Sequence, residues 1–309
     1  MIFVLIFFGF LLLVLGGKWL MKSSVALSLK LNISRIVIGM TVVSFVTSSP
    51  ELIVSIQAAI SGYSNIAVGN AIGSNIANIG FVLSIVLLIS PISVQDSFRR
   101  FDWPMMIASS LIFALMISYD NKLSRLEGFF LFSLLFFFIY YLLKKKYTKN
   151  YNTQSFVKMT YFKIIVYLFL GSFCLWSGSE LLIDCAVKLG SILGVSDRII
   201  SITVVAFGTS VPELATSIIA VIKNEKAISL GNLIGSNIFN ILAVLGITSI
   251  IQPIYVTEIS LINNDIFMMI AISILLFPLV MLKPKMKLGR NSGYFLLFVY
   301  VVFIYTLLK

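Results

Sequence analysis

The segment TSSPELIVS at residues 47–55 returns 162 positions later as TSVPELATS at 209–217. Matching 41–79 against 203–241 requires no gap and finds about 23 of 39 positions identical, so the chain contains a duplication. The two copies read TVVSFVTSSPELIVSIQAAI followed by GNAIGSNIANI, and TVVAFGTSVPELATSIIAVI followed by GNLIGSNIFNI. A duplicated chain folds into two like units, and each unit here sets a proline and a glutamate inside strongly apolar sequence.

Composition identifies the solvent of these units. Of 309 residues, 59% are hydrophobic and 11% charged, where a soluble domain carries about a quarter charged residues. No single aqueous core hides that much apolar surface, so the chain belongs in a bilayer. A span needs roughly 20 mainly apolar residues, and ten such stretches are found: 2–20, 36–60, 66–90, 101–119, 126–143, 164–183, 199–222, 227–252, 266–282 and 292–308. The first lacks a basic lead-in and a small-residue cleavage site, and is read as a mature span.

The fold expected is therefore an all-α integral membrane protein of about ten transmembrane helices. Residues 1–143 form the first five-helix repeat, with its motif at 36–90; 144–163 form a basic loop; 164–309 form the second repeat, with its motif at 199–252. Five is odd, so the second copy enters the membrane inverted. Inverted repeats with Pro- or Gly-interrupted helices at matching positions are the layout of a secondary transporter whose site lies at the midplane.

The net charge of +11 would suggest nucleic acid in a soluble protein, but its distribution argues otherwise. With the N-terminus outside, about 18 of the 23 Lys and Arg residues fall on the cytoplasmic side, the positive-inside bias. The run KKKYTKNYNTQSFVKMTYFK at 144–163 is then a solvated cytoplasmic connector, both termini lie outside, and no nucleic-acid partner is called for. A multi-pass protein of the cell membrane, with the lipid bilayer as its surroundings, is the expectation; the oligomeric state is left open.

Cys174 and Cys185 are the only cysteines and are read as buried thiols, and there is no histidine. Ser-His, Cys-His and His-ligated zinc chemistry are thereby excluded, no cofactor is implied, and the chain is read as a non-enzyme.

Pro50 and Pro212 each lack an amide hydrogen and crowd a carbonyl four residues back, so both helices loosen there and free backbone oxygens. In hydrocarbon such oxygens persist only where protein, water or an ion satisfies them. Ser44, Thr47, Ser48 and Glu51 recur at i, i+3, i+4 and i+7 on one helical face, and Ala206, Thr209, Ser210 and Glu213 repeat the spacing. On the following spans Asn70, Ser74 and Asn78, and Asn232, Ser236 and Asn240, form two more polar stripes. An unpaired carboxylate at the bilayer centre costs at least ~2.5 kcal/mol, and no Lys or Arg lies within either motif-bearing span. A cation or a proton is the partner that remains. Oxygen ligands without sulfur or imidazole suit a hard ion such as calcium, and two carboxylates balance one divalent or two monovalent ions. Glu180 and Asp184 are single, near an interface, and read as structural.

The segments GTSVPE at 208–213 and GSNIFN at 235–240, with VTSSPE and GSNIAN in the first half, resemble the alpha-repeats of the calcium/cation antiporter superfamily, most closely its prokaryotic sodium/calcium exchanger branch. The resemblance covers the whole chain. It implies a ten-helix inverted-repeat antiporter that exchanges sodium for calcium by alternating access, with both ions as transported ligands at a shared midplane site. By motif position it makes Glu51 and Glu213 the shared carboxylates. Thr47, Ser48, Thr209 and Ser210 then supply hydroxyl or backbone oxygens, Ser44 and Ala206 backbone carbonyls, and Ser74, Asn78, Ser236 and Asn240 the remaining ligands. The first two helices of the N-terminal half and their counterparts at 164–183 in the other half become the element that slides or rocks past the core. Two positions depart from the family pattern: Val46 replaces a glycine, and Asn240 stands where an aspartate is frequent, leaving two central carboxylates. The GNAIGSN and GNLIGSN segments lack the glutamate of the proton/calcium branch. Exchange driven by potassium or protons, a cation channel using the same oxygens and, as the weakest option, a membrane enzyme with Glu51 and Glu213 as an acid/base pair are the alternatives.

Overall fold

The computed structural model describes residues 2–144, 159–192, 206–282 and 286–307. The first half comprises α1 (Ile2–Leu31), α2 (Arg35–Thr47), α3 (Ser49–Ile60), α4 (Ser64–Ile89), α5 (Phe98–Asp120) and α6 (Arg125–Lys144). The second comprises α7 (Tyr161–Ile192), α8 (Ala206–Thr209), α9 (Val211–Ile222), α10 (Lys226–Ile251), α11 (Leu261–Met281) and α12 (Arg290–Leu307). Eight described helices are long and apolar enough to cross a bilayer, and α2 with α3, bent by 43° at Ser48, make a ninth span. The tenth, read at 199–222, contains α8 and α9; its portion 199–205 lies outside the described residues, as does 145–158 of the basic connector.

Two helices run well past their apolar stretches. α1 has 30 residues and α7 has 32, against the 2–20 and 164–183 expected from hydropathy. In α1 the continuation is amphipathic: Lys18, Lys22 and Lys30 point outward, while Leu20, Met21, Val25 and Ala26 are buried. A helix keeps its backbone bonded through such a stretch because its long basic side chains snorkel away from the packed face.

The two halves interlock by exchanging partners. Strand β1 (Ile92–Ser93), after α4, pairs antiparallel with β4 (Lys287–Leu288), which precedes α12; β2 (Lys122–Leu123), which precedes α6, pairs with β3 (Ile254–Tyr255), after α10. One further backbone bond extends each pair, Val94 N–H to the Met286 carbonyl and Val256 N–H to the Asn121 carbonyl, both 2.8 Å. Swapping the halves converts one ribbon into the other, as an inverted repeat requires. Glycine packing obeys the same relation. A Cβ on Gly128 of α6 would lie 2.7 Å from the Gly246 carbonyl of α10, and one on Gly293 of α12 would lie 3.0 Å from the Ser84 carbonyl of α4.

The core is mainly α4 and α10, whose apolar windows are 72% and 83% buried against 22% for α1. Asn, Ser and small apolar residues line these helices where lipid-facing helices carry Phe and Tyr. α1 and α7 form a separate antiparallel pair laid against this core. Their axes approach at Gly16 and Gly171 and again at Gly9 and Gly178, where an added Cβ would sit 2.8–3.2 Å from a facing carbonyl. Without a hydrophobic drive between helices in lipid, such close backbone approach is a main source of association. Among the described residues a single ion pair is found, Arg35 Nε to Glu225 Oε2 at 3.4 Å, so charge pairing contributes little to the fold.

This contact yields a packing test. Gly16→Ala or Gly171→Ala forces backbones apart and is expected to cost about 1–3 kcal/mol, seen as a lower melting temperature of the purified protein. Gly289→Ala, which meets nothing within 4 Å, is the control and is expected to leave melting unchanged.

Candidate ion site

The site forms where the two broken helices meet the middles of α4 and α10. Ser48 and Ser210 leave helical geometry at the same point in each copy, with φ/ψ of −87°/6° and −83°/1°. Pro50 and Pro212 follow in the first turn of α3 and α9, where a missing amide hydrogen is tolerated. Each break puts a glutamate in the first turn of the new helix, Glu51 in α3 and Glu213 in α9. The positive end of the helix dipole favours a carboxylate there.

On the facing helices, α4 and α10 pass from α to π geometry at Asn78 and Asn240. The wider turn was not read from the sequence, and such bulges frequently mark functional sites. The members of the four polar stripes are buried, Ala206 excepted, whose side chain lies outside the described residues. Glu51, Glu213, Ser44, Thr47, Ser74, Asn78, Ser236 and Asn240 are each 0% exposed, and Ser48, Ser210 and Thr209 are 3–4% exposed. Ala206 opens α8.

Hydrogen bonds join the copies crosswise. The Thr47 hydroxyl lies 3.4 Å from the Ser236 hydroxyl, and Ser74 lies 3.1 Å from Thr209. Thr47 Oγ1 also donates to Asn232 Oδ1 at 3.1 Å. Asn70 donates to Ser55 Oγ at 3.0 Å and Asn232 to Ser217 Oγ at 3.4 Å, each bracing one broken helix against the next span of its own repeat. Asn70 donates as well to the Glu51 carbonyl, at 3.2 Å. Ser48 and Ser236 both donate to Glu213 Oε1, at 3.3 and 3.4 Å. Ser48, at the break three residues before Glu51, thereby reaches the carboxylate of the other repeat.

Ser44 is differently employed. Its hydroxyl donates to the Gly39 and Asn232 carbonyls at 2.7 and 2.9 Å, clamping α2 to α10, and its own carbonyl accepts the Ser48 N–H at 2.9 Å. Glu180 and Asp184 are exposed on α7 and take no part in these contacts.

What these bonds leave over is informative. Glu51 Oε1 and Oε2, Glu213 Oε2, Asn70 Oδ1, Asn78 Oδ1, Asn240 Oδ1 and Ser210 Oγ are buried without a hydrogen-bond partner among the described residues. All seven are oxygens; the hydroxyls of Ser24, Ser229, Thr248 and Ser292 are in the same state, so it is the two carboxylates and three amide oxygens that set this group apart. About 6 to 8 oxygens is the appetite of a calcium ion. Among the described residues no group of three or more His, Cys, Asp and Glu side chains is present, so neutral oxygens must supply most of the donor set. Asn75 and Asn237, absent from the sequence-derived site, brace it from behind. Their signal was available, because the GSN triplet is identical in both copies.

The chain matches the sodium/calcium exchanger protein family over residues 1–144 and 163–309. It belongs to that family. Among its relatives, the sodium/calcium exchanger MaX1 of Methanosarcina acetivorans is 32% identical over 99% of this chain and 98% of its own length. The inner membrane protein YrbG of Escherichia coli is 33% identical over 94% of this chain and 91% of its own. Among solved structures, the sodium-calcium exchanger NCX_Mj soaked with 2.5 mM Na+ and 0.1 mM Ca2+ superposes with a TM-score of 0.83 at 31% identity, covering 97% of this chain and 96% of that one. The chain is a multi-pass membrane protein with the exchanger fold.

Ligand linkage provides the check on this oxygen cluster. Calcium at 100 times its dissociation constant is expected to stabilise the folded protein by about 2.7 kcal/mol, raising its melting temperature. The increment is expected to disappear in Glu51→Gln and in Glu213→Gln; an unchanged increment in both variants would remove the glutamates from the site.

Proposed function

We propose that this protein is a secondary active antiporter that exchanges sodium for calcium through one shared site. The observation that carries the reading is the set of seven unpartnered buried oxygens, three of them on two carboxylates, with no cationic side chain in either motif-bearing span. The full-length similarity to MaX1 and NCX_Mj, both named as sodium/calcium exchangers, supports it. Glu51 and Glu213 serve calcium and sodium in turn. Thr47, Ser48, Thr209, Ser210, Ser74, Asn78, Ser236 and Asn240 supply neutral oxygens, and Ser44 and Ala206 contribute through their carbonyls. The protein performs no covalent chemistry and needs no resident cofactor.

The mechanism is competition. Both ions cannot occupy the glutamates together, so arrival of one favours departure of the other, and the access path switches only when the site is loaded. α1 and α7, joined by glycine contacts and packed outside the core, are the elements that move. Residues 1–143 and 164–309 act as the two inverted repeats around the site, with 144–163 as their connector. The basic bias of the loops supports a cell-membrane orientation with both termini outside and that connector in the cytoplasm; the Escherichia coli relative, called an inner membrane protein, agrees with this location. If three sodium ions exchange for one calcium, each 100 mV contributes about 2.3 kcal/mol per net charge, which favours calcium exit at negative inside potential.

Proteoliposomes preloaded with sodium, potassium or protons in separate runs test the reading by calcium-45 uptake. Uptake is expected with internal sodium and is expected to vanish in Glu51→Gln and Glu213→Gln. Uptake equal in all three loadings would indicate a channel, and uptake with potassium or protons alone would replace the counter-ion.

A further inference from the structure

We infer that Asn75 and Asn237 are positioning residues that fix the polarity of the ion site, forcing Asn78 and Asn240 to present carbonyl oxygens to a cation. The inference rests on reading the cluster as a cation site and adds how its amides are oriented.

The four asparagines form a closed network across the pseudo-two-fold axis. Asn75 Nδ2 donates to the Asn237 carbonyl and Asn237 Nδ2 to the Asn75 carbonyl, each at 3.2 Å. Asn78 Nδ2 donates to Asn237 Oδ1 at 3.2 Å, and Asn240 Nδ2 to Asn75 Oδ1 at 3.1 Å. A backbone carbonyl can only accept. The Asn75 amide must therefore turn its NH2 toward residue 237, which leaves Oδ1 as the end facing Asn240. That oxygen in turn can only accept, so Asn240 must offer its NH2 to it and aim its own Oδ1 elsewhere. The same deduction from the Asn75 carbonyl orients Asn237 and then Asn78.

The outcome agrees with the pattern of partners. Asn78 Oδ1 and Asn240 Oδ1 are left unpartnered, whereas the Oδ1 atoms of Asn75 and Asn237 are consumed. The amide nitrogens of Asn75 and Asn237 also reach methionine sulfurs of facing helices, Met269 of α11 at 3.5 Å and Met106 of α5 at 3.9 Å. Both amide ends of these two residues are thus engaged within the protein. Each repeat orients the ligand amide of the other. Without the brace, a 180° turn of the Asn78 or Asn240 amide would set two N–H groups against a cation.

The test is equilibrium calcium-45 binding to the purified protein in lipid nanodiscs, comparing Asn75→Leu in two backgrounds. With Asn240 present, loss of the brace is expected to weaken calcium binding about 10- to 100-fold, the range for partners that orient metal ligands. With Asn240→Asp, both ends of the ligand are oxygen and there is no orientation to fix, so Asn75→Leu is expected to cost no more than about twofold, the scatter of independent sites. Equal losses in the two backgrounds, or no loss in the first, would overturn the inference. Asn237→Leu with Asn78→Asp repeats the comparison from the other repeat and serves where Asn75→Leu fails to fold. Calcium binding by the wild-type protein without sodium-driven flux would overturn the exchange reading and leave this inference standing. Absence of calcium binding by the wild type would overturn both.

Discussion

Two carboxyl groups held in an apolar interior without a basic side chain are the constraint from which the remaining features follow. Each costs at least ~2.5 kcal/mol at the depth of a bilayer when charged and unpaired, and Glu51 and Glu213 are both fully buried. A chain that only needed a stable core would replace them with leucine. Retaining both is reasonable only if a mobile charge offsets them, and a mobile charge is what a transporter carries. The helix breaks set the glutamates at favourable dipole ends, and the neutral oxygens supply ligands without adding repulsion.

The duplication sets how that site is supported. Each glutamate has a serine before it and a proline between, and each facing helix turns π at its last asparagine, so one set of local instructions is executed twice. The halves then hold each other through exchanged ribbons and crossed hydroxyl pairs. Charge is where the copies part. Under the same offset of 162, Lys18 and Lys22 of α1 correspond to Glu180 and Asp184 of α7, all four exposed. The antiparallel pairing of α1 and α7 carries these positions toward opposite ends of the pair. The buried motif residues are largely alike in the two copies, while these exposed charges are not.

Much of this was legible beforehand. The repeat, the nine spans among the described residues and the burial of the polar stripes follow from period and composition, since a helix with serine, threonine and glutamate on one face must aim that face inward in lipid. Two features were not. Hydropathy ended α1 near residue 20 because Lys18, Lys22, Ser23 and Ser24 interrupt the apolar run, yet these residues sit on an amphipathic continuation. Asn75 and Asn237 lie one position off the i, i+4 stripes, so face-based reasoning passed over them. Their role depends on hydrogen bonds between repeats, which no helical wheel contains.

The site also departs from its own symmetry. Ser48 donates to Glu213, but its counterpart Ser210 makes no such bond to Glu51, whose two oxygens are both unpartnered. The serine, proline and glutamate are the same on each side, whereas Ser44, Val46 and Ser49 stand opposite Ala206, Gly208 and Val211. The same side chains can form the mirror arrangement, with Ser210 on Glu51 and Glu213 released. Two arrangements built from like serine–glutamate pairs are shifted by a ligand that binds one of them better than the other. Facing opposite sides of the membrane, such arrangements make inverted repeats a route to alternating access.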